Sequence, residues 1–94
     1  MMTLHWSSRF KKSFKKYSQN NLSNKEKILK TMESLSLAPF NPQLKSHKLK
    51  GVLEGSWACL VDYNLRIVFE MMKNRLTNQE EILLIDIGTH EEVY

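Results

Sequence analysis

The hydrophobic periodicities of this 94-residue chain predict an α+β domain of order β-α-α-β-β-β. Its sheet is expected to be antiparallel, with an αα-hairpin packed on one face. Three observations carry that prediction. Two consecutive N-terminal segments repeat their apolar residues at helical spacing. Pro39 and Pro42 then end the helical section, because proline and the residue before it resist the α conformation. The C-terminal half alternates, or runs apolar without a break, as strands do.

Thr3–Trp6 is a short candidate strand. Ser7 or Ser8 is placed to cap a helix reaching about Gln19, since Phe10, Phe14 and Tyr17 recur at i, i+4 and i+7. Lys11, Lys12, Lys15 and Lys16 occupy its other sides, as an amphipathic surface helix requires. Asn20 and Asn21 break the pattern, and Ser23-Asn24-Lys25-Glu26 matches a capping box. A second helix then runs to about Leu35 with Ile28, Leu29, Met32 and Leu35 as its apolar stripe. Residues 38–55 read as a connection, and one so long within a small domain is more often functional than idle.

Trp57–Asp62 and Leu65–Met71 read as strands joined through Tyr63-Asn64, a two-residue hairpin turn in which Asn tolerates φ > 0. In the second of them Leu65, Ile67, Phe69 and Met71 point one way, and Arg66, Val68 and Glu70 the other. Lys73–Asn78 is a polar loop. Glu81–Ile87 is a nearly continuous apolar run, the pattern of a central strand buried on both faces.

Composition narrows the function classes. The chain is 41% hydrophobic and 26% charged, the balance of one folded soluble domain over residues 1–94. A domain of this size has no room for a deep cofactor-enclosing cavity without losing core. The single cysteine, Cys59, excludes an internal disulfide framework and a multi-thiolate zinc site. No apolar run approaches the ~18 residues of a membrane span, and the N-terminus is polar and Lys-rich rather than a signal peptide. A cytoplasmic location is the expectation.

Charge is unevenly placed. Residues 1–55 carry eleven Lys or Arg against three acidic residues, a net +8, whereas residues 56–94 carry three against seven, a net −4. Clustered lysines suit a phosphate chain, whose condensed counterions they displace. A solvated helix face accounts for such a run equally well.

There is no phosphate-binding Gly loop, no nucleophile elbow and no metal-ligand spacing of His, Cys and Asp. His47 lies in a basic loop with Lys45, Lys48 and Lys50, and His90 follows Gly88-Thr89 directly after the last strand. Two imidazoles titrating near pH 6.5 can share proton acceptance and donation, which suits RNA cleavage. Arg66, between apolar neighbours in mid-strand, requires an anion: a phosphate, or a carboxylate such as Asp62 or Glu70. Taken singly, each histidine is equally a hydrogen-bonded loop residue, and Tyr94 equally an aromatic packed at the sheet edge.

Leu65-Arg66-Ile67-Val68-Phe69-Glu70, the strand Ile82–Ile87 and Gly88-Thr89-His90-Glu91-Glu92-Val93-Tyr94 resemble the C-terminal half of the RelE/ParE toxin superfamily. Ser46-His47-Lys48-Leu49-Lys50-Gly51, with the late Gly-Thr-His, resembles its YafQ branch. The resemblance implies the RelE/ParE fold, with a groove on the open sheet face. It implies a toxin of a type II toxin–antitoxin system that cleaves mRNA in the ribosomal A site without metal or other cofactor, by 2′-hydroxyl attack. It assigns His47 and His90 to acid and base work, Arg66 to the scissile phosphate and Tyr94 to orienting or deprotonating the RNA. Lys45, Lys48 and Lys50 are then RNA-binding. Two positions depart from the YafQ pattern: Leu60 stands where a histidine is expected and Asn64 where an acidic residue is. A cognate antitoxin is the implied partner, and the free toxin is expected to be monomeric and away from membranes. The alternative on the same fold is a ParE-like inhibitor of DNA gyrase with no RNase activity.

Overall fold

The computed structural model describes residues 1–51 and 55–93. The elements are β1 (Leu4–Trp6), α1 (Ser8–Ser18), α2 (Leu22–Leu37), a 3-10 turn (Pro42–Leu44), β2 (His47–Lys48), β3 (Trp57–Leu60), β4 (Leu65–Lys73), β5 (Glu80–Thr89) and α3 (His90–Val93). The five strands lie in the order β1-β5-β4-β3-β2. The α+β class and the packed helical pair agree with the sequence. One pairing does not: β1 runs parallel to β5, so the sheet is mixed rather than antiparallel. Parallel neighbours need a long crossover, and the whole chain between Trp6 and Glu80 supplies it.

The helices start where side chains can satisfy their orphan amides. Ser7 caps α1, its hydroxyl accepting from the Phe10 N–H at 3.0 Å. The cap of α2 is Asn21, accepting from the Asn24 N–H at 3.0 Å. Asn20, in the left-handed region at φ 59°, makes the turn that delivers it. The Ser23–Glu26 box therefore lies inside the first turn of α2 instead of preceding it.

Phe10 of α1 and Ile28, Met32 and Leu35 of α2 bury against Leu65, Ile67, Phe69, Ile82, Leu84 and Ile87 of the sheet. Trp6 adds edge-to-face contacts with Phe10 and Phe14 at 5.0 and 5.1 Å. Cys59 is buried in this core, and burial pushes its thiol up to about 12, which keeps it protonated and unreactive at neutral pH.

The alternation of β4 holds. Val68, on the opposite face, joins a smaller apolar cluster with Ala58, Leu49 and Val93, with Ile85 packed against it. The register of β5 slips by one residue between Val68 and Phe69, so Ile85 has no partner on β4. That bulge lets Leu84 and Ile87 both reach the main core while Ile85 reaches the smaller cluster, which explains why the run is apolar at both parities.

The β3–β4 connection is four residues, 61–64, rather than a two-residue turn. Asp62 organises it, one carboxylate oxygen accepting from the Asn64 and Leu65 N–H groups at 2.8 Å each. Burial pushes the Asp62 carboxyl up, but those two N–H groups and the Lys27 ammonium together hold it below its usual range. No helix among the described residues is long and apolar enough to cross a membrane.

Candidate active site

The helices leave one face of the sheet open, and its floor is the Ala58, Val68 and Leu49 cluster. Three polar side chains converge on it from three elements. Arg66 projects from β4, directly opposite Gly88 of β5 and Leu60 of β3. One guanidinium nitrogen donates to the carbonyls of Asp62 and Tyr63 at 2.9 and 2.8 Å, folding the side chain toward the hairpin. Neither carboxylate that the sequence offered takes up its charge. Asp62 pairs with Lys27 at 3.4 Å, and Glu70 forms no ion pair among the described residues.

His47 stands on β2, an edge strand of two residues within the connection expected over 38–55. It pairs with Ala58, so it shares the open face. Its Nδ1 lies 3.1 Å from the Lys45 carbonyl. A carbonyl only accepts, so in this contact it is Nδ1 that donates. Lys45 itself sits in the left-handed region at φ 50°, closing the 3-10 turn and aiming that carbonyl.

His90 opens α3. Thr89 and Glu92 form a reciprocal capping box around it: the Glu92 N–H donates to the Thr89 hydroxyl at 3.3 Å, and the Thr89 N–H donates to the Glu92 carboxylate at 2.9 Å. The same carboxylate accepts from the Tyr17 hydroxyl and, at 3.2 Å, from the Lys16 ammonium of α1. Tyr17, then Thr89 and Lys16, pull the Glu92 carboxyl down to about 2. Gly88 completes the mount. A Cβ there would lie 2.9 Å from Val93 Cγ1 and 3.0 Å from Glu92 Cβ, so only glycine lets α3 lie this close to β5.

These mounts bring His47, Arg66 and His90 to the wall of one depression of about 360 Å³, with Leu49 and Lys50 beside them. Arg66 and His90 also border a second depression of about 500 Å³, lined by Tyr63, Asn64, Thr89 and Glu91. Lys48 lines the first, yet its register partner is Trp57, and its ammonium lies 5.6 Å over that ring. Its charge therefore leans toward the helix-packed side. Lys45 is exposed and contributes its carbonyl. Tyr94 lies outside the described residues. Gly88 and Thr89 entered the sequence analysis only as part of the Gly-Thr-His motif, Glu92 as part of the C-terminal run and Tyr17 as part of the α1 stripe. Their role in mounting His90 was not read, although Thr-x-x-Glu after an apolar strand is a legible cap signal.

The arrangement offers two imidazoles and a guanidinium around one open concavity. That set suits proton transfer at an anionic substrate. Among the described residues no group of three or more His, Cys, Asp or Glu side chains stands where it would hold a metal ion.

The family profile described as "bacterial toxin of type II toxin–antitoxin system, YafQ" matches residues 2–94. The chain belongs to the YafQ toxin family. No curated protein matches it significantly. Solved structures agree on the fold. A YoeB/ParE toxin from Agrobacterium tumefaciens is 20% identical, covering 95% of this chain and 99% of that one at a TM-score of 0.78. A metal-bound toxin from Helicobacter pylori is 26% identical, with both chains covered in full and a TM-score of 0.74. YafQ of the Escherichia coli DinJ–YafQ toxin–antitoxin complex is 18% identical, covering 99% of this chain and 97% of that one at 0.74. Its YafQ fold thus spans essentially the whole chain.

Proposed function

We propose that this YafQ-family toxin is an mRNA endoribonuclease that cleaves on the ribosome, without metal or other cofactor. The convergence of His47, Arg66 and His90 on one depression is the observation that carries the reading. In the reaction, His47 Nε2 takes the proton of a ribose 2′-hydroxyl. The 2′ oxygen attacks the adjacent phosphorus, and the Arg66 guanidinium stabilises the negative charge gathering on the phosphoryl oxygens. His90, protonated, donates to the departing 5′ oxygen. The products are a 2′,3′-cyclic phosphate and a 5′-hydroxyl. Lys50, and more distantly Lys45 and Lys48, hold the RNA chain, and Tyr94 orients or deprotonates the RNA.

The floor of the site is shallow and open, which fits a substrate positioned by a larger particle rather than enclosed by the toxin. Its partner in the resting cell is an antitoxin, by analogy with the DinJ complex of Escherichia coli YafQ. The free toxin is a cytoplasmic monomer.

Mapping of RNA 5′ ends, with and without ribosomes, tests the reading. Cuts inside codons that appear only on ribosome-bound mRNA are expected, and His90→Ala, Arg66→Ala and His47→Ala are each expected to slow them about 100-fold or more. Full cleavage by all three variants would overturn the assignment. Induction of a DNA-damage response with intact mRNA would point to the gyrase-inhibiting alternative.

A further inference from the structure

Resting on the RNA-cleaving reading, we infer that the second depression is a nucleobase subsite. In it Tyr63 supplies a stacking platform and Glu91 a carboxylate that selects bases bearing an amino group. Arg66 and His90 are common to both depressions. A phosphate held by Arg66 therefore has one neighbouring nucleotide on the His47 side and the other on the Tyr63 side.

The two sides differ in chemistry. The His47 side is lined by Lys48 and Lys50. Among the described residues the Tyr63 side has no lysine; beside the shared Arg66 and His90, it adds the Glu91 carboxylate. A carboxylate repels a phosphate chain, so the Tyr63 side suits a base edge rather than backbone. An ionised carboxylate only accepts hydrogen bonds. Guanine, adenine and cytosine each present an exocyclic amino group to it, whereas uracil presents a single imino N–H between two carbonyls. The edges of unpaired bases are read in this way, and aromatic rings take the base face.

Tyr63 is 87% exposed, an unusual position for an aromatic with no ring partner among the described residues. It is also fixed to the phosphate-binding group, because its carbonyl accepts from Arg66 at 2.8 Å. The backbone that bears the platform therefore stays beside the guanidinium. At about 500 Å³ the depression has ample room for one base.

Two measurements test this on the full-length toxin. In the first, ribosome-bound mRNA with randomised codons is cleaved, and the bases flanking each cut are counted. Wild type is expected to disfavour uracil about tenfold at one flanking position. Glu91→Gln, whose amide both donates and accepts, should erase most of that bias. Tyr63→Ala should lower cleavage about tenfold, with Tyr63→Phe close to wild type. An unchanged base profile in Glu91→Gln would overturn the subsite while leaving the RNase reading intact. The second measurement does not depend on cleavage. Uncleavable 2′-O-methyl trinucleotides are titrated into the toxin and followed by amide chemical shifts. Shifts at Tyr63, Asn64 and Glu91 that are larger for a guanine-bearing than for a uracil-bearing strand are expected. Equal shifts, or none at these residues, would refute the subsite. Loss of cleavage in wild type with these shifts present would instead refute the RNase reading alone.

Discussion

His47 and His90 face one depression from opposite sides, and they are held there by different means. His90 rides on a single turn of helix tied to three other parts of the molecule. Thr89 and Glu92 cap it, Tyr17 and Lys16 of α1 grip the Glu92 carboxylate, and Val93, 4% exposed, plugs it into the open-face cluster. His47 rides on a two-residue edge strand. Its supports are local: the Lys45 carbonyl, the buried Leu49, whose N–H donates to the Ser56 carbonyl at 2.9 Å, and Ser46, whose hydroxyl donates to the Pro39 carbonyl at 2.7 Å. The difference teaches where each histidine is vulnerable. His90 is exposed to changes made at a distance through α1 and β5, whereas the supports described for His47 come from residues 39–49 and the facing strand β3.

The sharpest way to break the comparison is Gly88→Ala. The added methyl meets Val93 and Glu92 at about 3 Å, so α3 must lift from β5. Overpacking of this kind costs about 1–3 kcal/mol. A displacement near 1 Å at the reacting group costs about 100-fold in rate. Cleavage is therefore expected to fall about 100-fold, with amide shifts confined to the end of β5 and α3. Unchanged cleavage would show that α3 tolerates displacement.

A smaller effect is expected from the grip on Glu92. Glu92→Gln keeps the shape but loses the charge that Tyr17, Thr89 and Lys16 share, and cleavage should fall about tenfold, with Tyr17→Phe intermediate. The same contact gives a pH dependence with a definite sign. The Glu92 carboxyl is depressed from 4.5 to about 2 in the folded chain. Its contribution is therefore complete above the unfolded value and is lost as pH falls through about 2. The Thr89 amide resonance should titrate with a midpoint near pH 2, and this transition should vanish in Glu92→Gln.

The smallest change is expected on the His47 side. Ser46→Ala removes one hydrogen bond to Pro39 and should cost about 1 kcal/mol of stability by denaturant unfolding. Cleavage should change less than threefold, roughly, because one bond of that strength is shared with the rest of the loop. A larger loss than in Glu92→Gln would reverse the comparison.

Most of the architecture was legible because it rests on local periodicity. The alternation of β4 sorted Ile67 and Phe69 from Arg66 and Val68, and the structure keeps that division. The missed features depend on partners remote in sequence. The parallel direction of β1 is set by β5, far along the chain, and β2 is too short for two residues to show a pattern. The start of α2 was misplaced because Asn21 and Ser23 are both good caps, and the backbone turn at Asn20 decided between them. At the site, the meeting of His47, Arg66 and His90 in one depression was expected only through family resemblance. The mount beneath His90 went unread for a different reason. Gly88 announces itself only once Val93 is seen pressing on it, and Tyr17 is indistinguishable in sequence from the core aromatics of α1.

The strand lengths carry one more consequence. The two longest strands, β4 and β5 at nine and ten residues, lie in the interior of the sheet, while the outermost strands have three and two. Where β1 stops, the Ser7 hydroxyl takes the Ile85 carbonyl at 2.9 Å, and Ser13 and Arg9 of α1 engage Asp86 along the remaining flank of β5. Among the described residues a second copy of the chain thus finds no long edge strand on which to add itself. Self-assembly into extended sheets is disfavoured by this geometry, whatever the salt concentration does to screen the chain's net charge.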